Sequence, residues 1–164
     1  MFVALFNYAT FRLSEAPYFM SPTQISLVFL AYGFGMVSSS VAGALADRFG
    51  RRPLLTAGFL TMLLGIAATL SASLALLIGG IVLVTTGFFI AHSVASGSIG
   101  PLAGAAKGHA ASLYLLFYYM GSSIVGSLGG WFWQHGGWPA VAGLTAALAC
   151  AGLILAVGGR RRPS

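Results

Sequence analysis

Of the chain's 164 residues, 58% are hydrophobic and only 6% charged, against about 25% charged in soluble domains; this excludes a water-facing globule and leaves an all-α membrane protein. The lone cysteine, Cys150, excludes an internal disulfide, and the apolar excess excludes a disordered chain. The net charge of +6 is no nucleic-acid signal, because the eight basic residues fall between or beyond apolar runs, without a patch of interleaved aromatics.

A helix needs about 20 apolar residues to cross about 30 Å of hydrocarbon. Met1–Phe11 is apolar but about half that length, and it lacks the basic start and cleavage site of a signal peptide. The polar stretch Arg12–Pro22 follows, and Thr23 is placed to cap the next helix. Ile25–Ala46 is the first full span, and the loop Asp47–Arg52 leads to the second, Pro53–Ala72, with proline in its first turn. A minimal turn at Ser71–Ser73 opens the third span, Leu74–Ala95. Gly97–Lys107, with Gly97, Gly100, Pro101 and Gly104, reads as a loop. Ala110–Trp131 is the fourth span, His135–Gly137 a turn, and Pro139–Val157 the fifth, before the tail Arg160–Ser164. The predicted architecture is a multi-pass helical bundle of five full transmembrane helices plus a half-helix.

Seven of the eight basic residues lie on one side of this arrangement; the other side has only Arg12, offset by Glu15. The positive-inside rule places the basic side, and with it the C-terminus, in the cytoplasm. Small residues recur every four positions: Ala31, Gly35, Ser39, Gly43; Leu83 with Gly87, Ala91, Ala95; and Ser122, Gly126, Gly130. Such rows let helix backbones approach in lipid, where dispersion replaces the hydrophobic drive.

The most specific segment joins the first two spans: Gly43, Asp47, Arg48, Gly50, Arg51 and Arg52, in the pattern Gly-x3-Asp-Arg-x-Gly-Arg-Arg. Gly43 allows close packing, Gly50 a tight turn, and Asp47 can offer its carboxylate to a helix N-terminus or an arginine. Three arginines alone would fit any cytoplasmic loop; the full pattern resembles the signature loop of the major facilitator superfamily. In that family one copy joins the second and third helices, and a degenerate copy the eighth and ninth. The short remainder of the chain favours the later copy. So do Leu5-Phe6-Asn7-Tyr8, Ala91–Ser96, Ser112–Ser123 and Gly129–Trp133, which resemble the C-terminal half of bacterial arabinose-efflux-like permeases.

The resemblance implies that residues 1–164 are the C-terminal six-helix half of the fold, with the first helix truncated to its outer half. It implies secondary transport of a small solute by alternating access, efflux-type and proton-coupled, in the inner membrane. An N-terminal six-helix half would be the partner, on the same or a separate chain, beside membrane lipid and a small-molecule substrate. A non-transporting membrane scaffold that keeps the half-bundle is the alternative. The pattern Ser96-x3-Gly100-Pro101-x2-Gly104-Ala105 resembles an antiporter motif, but it closes an inward-running helix and reads as a glycine-rich helix end.

Polar groups inside spans are pathway candidates: Asn7 and Tyr8 on the half-helix, His92 and Ser93 on the third span, and Tyr114, Tyr118 and Tyr119 on the fourth. His92 could relay a proton or bond a neighbouring backbone; aromatic packing with one satisfied hydroxyl would equally account for the tyrosines. Trp131, Trp133 and Trp138 sit where interfacial belts sit, and Arg12 is expected to snorkel outward. The pattern shows no metal cluster, cofactor site, nucleic-acid surface or catalytic constellation, so an enzyme is not expected.

Overall fold

The computed structural model describes residues 1–158, and these form helices joined by short links. The predicted half-helix is α1 (Phe2–Ser14), 13 residues long, or about 20 Å, still short of a crossing. Next come α2 (Pro22–Val28) and α3 (Ala31–Phe49), α4 (Arg51–Thr69), α5 (Leu74–Ala103), a 3-10 turn at Gly104–Ala106, and α6 (Lys107–Gly158). Gly137 breaks α6 into two arms, residues 107–136 and 138–158, with φ 58 and ψ −150, a region that is essentially glycine-only.

Several boundaries differ from the sequence reading. The first full span is not one helix but α2 and α3, joined through Phe29 and Leu30, whose amides bond three residues back in place of four, a 3-10 tightening. Its cap is Ser21, not Thr23: the Ser21 side chain accepts from the Gln24 amide and Gln24 returns the bond, with Pro22 in the first position. The Asp47–Arg52 loop shrinks to Gly50 alone, at φ 86 and ψ 160 between two helix ends.

Gly97–Lys107 is the main correction. It is helical through Ala103, and only Gly104–Ala106 leaves the α-helix. An interior glycine costs a helix only about 1 kcal/mol, and Pro101 falls in the last turn, where it costs one bond, so neither is enough to end α5. Of the antiporter-like pattern, Ser96, Gly100 and Pro101 thus close α5, and Gly104 and Ala105 lie in the 3-10 turn that follows.

The two ends of the bundle are set by specific bonds. At one end Arg52 donates from Nε to the Ala156 carbonyl at 3.1 Å and from a terminal nitrogen to the Val157 carbonyl. These carbonyls lie in the last described turn of α6, and a cation is favoured toward a helix C-terminus. At the other end Tyr18 donates to the Ala72 carbonyl at 2.9 Å, and Trp138 Nε1 to the Thr69 carbonyl at 2.9 Å. Trp138 is 2% exposed, so it ties the Gly137 break to the end of α4 and is no interfacial belt residue. Trp131 is exposed as expected. Arg12 lies with its guanidinium 5.5 Å from the Tyr18 ring centre, and its Nε is buried without a partner among the described residues.

The tightest contact joins α4 to α5. A Cβ added at Gly65 would stand 2.7 Å from the Gly80 carbonyl, and one at Gly80 would stand 2.6 Å from the Gly65 carbonyl. Gly58 and Gly87 meet in the same way seven residues further along each helix, in antiparallel register. Dispersion between touching backbones holds such pairs in lipid. The small-residue rows are used in part. Gly35 takes the Phe89 ring, and Gly129 and Gly130 take the Tyr8 ring, while a Cβ at Gly43 would meet nothing within 4 Å. The close packing expected of Gly43 is thus not made within these residues.

Core side chains such as Leu5, Met62, Ile81, Val84 and Val141 are sealed, while Leu30, Phe34, Met36, Val37, Leu64, Phe117 and Leu155 are well exposed. Apolar exposure on this scale marks a surface made for lipid or partner helices. Pro22–Phe49, Arg51–Thr69 and Leu74–Gly158 are each long and apolar enough to cross a membrane. The last has 85 residues, enough for three crossings at about 20 residues each, and it is turned at Gly104 and Gly137.

Candidate functional site

The polar candidates separate into two groups. His92, on α5, comes within 2.9 Å of the Tyr114 hydroxyl through Nδ1, across the gap to the first arm of α6. With Nδ1 unprotonated the phenol donates to it, and Nε2–H remains a donor. The Tyr118 ring lies 5.0 Å from the imidazole, one helical turn along from Tyr114. On the other side Phe88 stacks on His92 at 5.4 Å and 11°, and Phe2 stacks on Phe88 at 4.3 Å and 5°. A column of rings thus runs from the start of α1 to the first arm of α6.

These rings border a cavity of about 440 Å³ whose other walls include Leu55, Phe59 and Met62 of α4 and Leu155 of α6. A second cavity of about 410 Å³ adjoins it and shares Met1, Phe59, Phe88 and Tyr118. His92, Tyr114 and Tyr118 give this apolar space its polar edge, which suits a solute that is mostly apolar with one or two hydrogen-bonding groups.

The remaining candidates lie elsewhere. Tyr8 donates to the Gly126 carbonyl at 3.2 Å and its ring fills the space left by Gly129, a packing role. Ser93 donates to the Ser39 carbonyl at 3.1 Å and ties α5 to α3. Tyr119 is exposed, with its ring against Tyr118, and Asn7 is on the exposed face of α1. Phe88 and Phe59 were not singled out in the sequence; Phe88 is four residues before His92 and so shares its helix face, a signal that could have found it. In the signature segment Asp47, Arg48 and Arg51 are exposed, and Arg52 works on the end of α6. Among the described residues no three of His, Cys, Asp and Glu gather to hold a metal ion.

Fold and surface together define an integral membrane protein built as an all-α helical bundle. The Major Facilitator Superfamily model matches residues 1–164, and the chain belongs to that family of transporters. It is 45% identical over 161 residues to the inner membrane transport protein YnfM of Escherichia coli, covering 98% of this chain and 39% of the relative. An uncharacterized transporter of Buchnera aphidicola from Schizaphis graminum is 42% identical over 137 residues, 84% of this chain and 33% of its own length. The uncharacterized MFS-type transporter YybF of Bacillus subtilis is 42% identical over 142 residues, 87% of this chain and 35% of the relative. The chain therefore spans little more than a third of the length of these relatives. No solved structure matches it.

Proposed function

We propose that this chain is the C-terminal six-helix half of an efflux-type secondary transporter of the inner membrane. The family match along the whole chain, against relatives for which it covers 33% to 39% of the length, is the observation that carries the reading. α1 is then the outer half of helix seven, α2 and α3 helix eight, α4 helix nine, α5 helix ten, and the arms of α6 helices eleven and twelve. Continued past Met1, helix seven would run beside both cavities, and His92, Tyr114 and Tyr118 would stand where helices seven, ten and eleven meet. In this reading they serve the pathway of a small polar or amphipathic solute exchanged for protons. The arginines of the signature segment face the cytoplasm with the C-terminus, and α1, α5 and α6 rock against an N-terminal half.

The test uses proteoliposomes with a pH-sensitive dye inside and a panel of labelled small solutes outside. The purified 164-residue chain alone should give no solute-coupled proton flux. Fused behind the N-terminal half of its Escherichia coli relative, it should give flux that falls at least about tenfold in His92→Ala, as loss of a positioned proton-transfer group does. Robust flux by the chain alone would overturn the half-transporter reading. A folded fusion without flux for any solute would favour a membrane scaffold.

A further inference from the structure

The surface between α4 and the second arm of α6 carries a groove of about 650 Å³, lined by Arg52, Pro53, Thr56, Ala57, Leu60 and Val157. Its composition changes along its length. The Arg52 guanidinium closes one end, Thr56 adds a hydroxyl one turn in, and Pro53, Ala57 and Leu60 supply an apolar floor. Leu60 is eight residues past Arg52, about 12 Å along the helix, and Leu64, well exposed, continues the same face. Arg52 is held in place by its bonds to the Ala156 and Val157 carbonyls, and these are neutral partners that leave its charge uncompensated. Arg51 precedes it in the chain and Arg48 ends α3 just before the Gly50 turn, both exposed. The chain has eight basic side chains against two acidic ones, so this segment keeps a positive excess.

We propose that this groove binds an anionic phospholipid, its phosphate at Arg52 with Arg51 and Arg48 adding to the field, and one acyl chain along Pro53, Ala57 and Leu60. An arginine that only sets topology needs neither a fixed guanidinium nor a groove beneath it. A soluble phosphate would have no use for the apolar floor. A basic site at a helix end, opening onto an apolar groove, fits one lipid with a negative head. The site needs only that the bundle lies in a membrane, and it stands whether or not the transport reading does.

The test is native mass spectrometry of the purified chain in nonionic detergent, titrated with dioleoylphosphatidylglycerol or with dioleoylphosphatidylcholine, which has the same acyl chains and no net charge. The anionic lipid should be retained preferentially, and Arg52→Gln should weaken it about fivefold, the effect of one arginine at the headgroup level. Arg52→Gln also removes the two bonds to the end of α6, so Ala57→Phe is the companion variant. It leaves every charge and both bonds in place but fills the floor, and it should weaken retention as well. Equal retention of the two lipids, retention unchanged by Ala57→Phe, or displacement by glycerol 3-phosphate at matched concentration would each overturn the proposal.

Discussion

Two of the faces of α5 are joined to their neighbours by opposite means. Toward α4 it presents Gly80 and Gly87, and the backbones touch at two points. Toward the first arm of α6 it presents Phe88 and His92, and the contact is a set of rings, one hydrogen bond and a cavity. Backbone-to-backbone contact has no rotamers to change and so fixes one geometry. Rings around open space can tilt and re-pair at small cost, since each bond is worth only about 1 kcal/mol. One helix therefore combines a permanent joint with an adjustable one, and the candidate site lies on the adjustable side.

Substitutions can break or sharpen that contrast, read as shifts in unfolding of the purified chain in mixed micelles. The largest effect is expected at the backbone joint. Gly80→Leu would place a Cβ 2.6 Å from the Gly65 carbonyl and 2.9 Å from the Thr69 amide, neither of which can yield, so a loss of about 3 kcal/mol is expected. Tyr114→Phe should cost about 1 kcal/mol, because it removes one half-buried bond and leaves its ring in place. Equal costs for these two variants would erase the difference between the faces. The smallest change is expected one residue from the first site: Gly79 is exposed and a Cβ there meets nothing within 4 Å, so Gly79→Ala should stabilise α5 by about 0.5 kcal/mol. A destabilising Gly79→Ala would mean that α5 is rotated from the orientation described.

Hydropathy and the count of apolar residues were enough to find helices of crossing length and to show that α1 is short, while the six-residue loop read at Asp47–Arg52 proved to be Gly50 alone. They were misleading where glycine and proline were taken to end a helix. Gly97, Gly100 and Pro101 punctuate a soluble chain, yet here they continue α5 to Ala103. A search for small residues every four positions found Gly87 but passed over its partner Gly58 and the pair Gly65–Gly80, because this antiparallel joint repeats every seven. Trp138 was read as a belt residue from its position at a helix end; whether an indole faces lipid or a neighbouring carbonyl is decided by which helix packs beside it. His92 and the tyrosines were visible as polar groups in apolar runs. That Tyr114 and Tyr118 would meet His92, while Tyr8 and Ser93 would be used up in packing, depends on helix rotation, which a single sequence with this much apolar surface leaves open.

The connections also determine what one end of the bundle offers to approaching molecules. At the end marked by Trp138 and Tyr18, the arms of α6 meet across Gly137 with no residue to spare. The turn between α4 and α5 has its Ser71 and Ala72 carbonyls taken by the Tyr18 hydroxyl. Among the described residues two links at that end leave several consecutive residues outside helix, 70–73 and the longer 15–21. The longer one is itself bonded, with the Tyr18 and Phe19 amides on the Glu15 carbonyl and the Met20 amide on the Leu13 carbonyl, so neither is the open chain that proteases and inserted tags need. Anything that approaches from that end, whether an enzyme, an antibody or an engineered label, finds two short, tied-down links among the described residues.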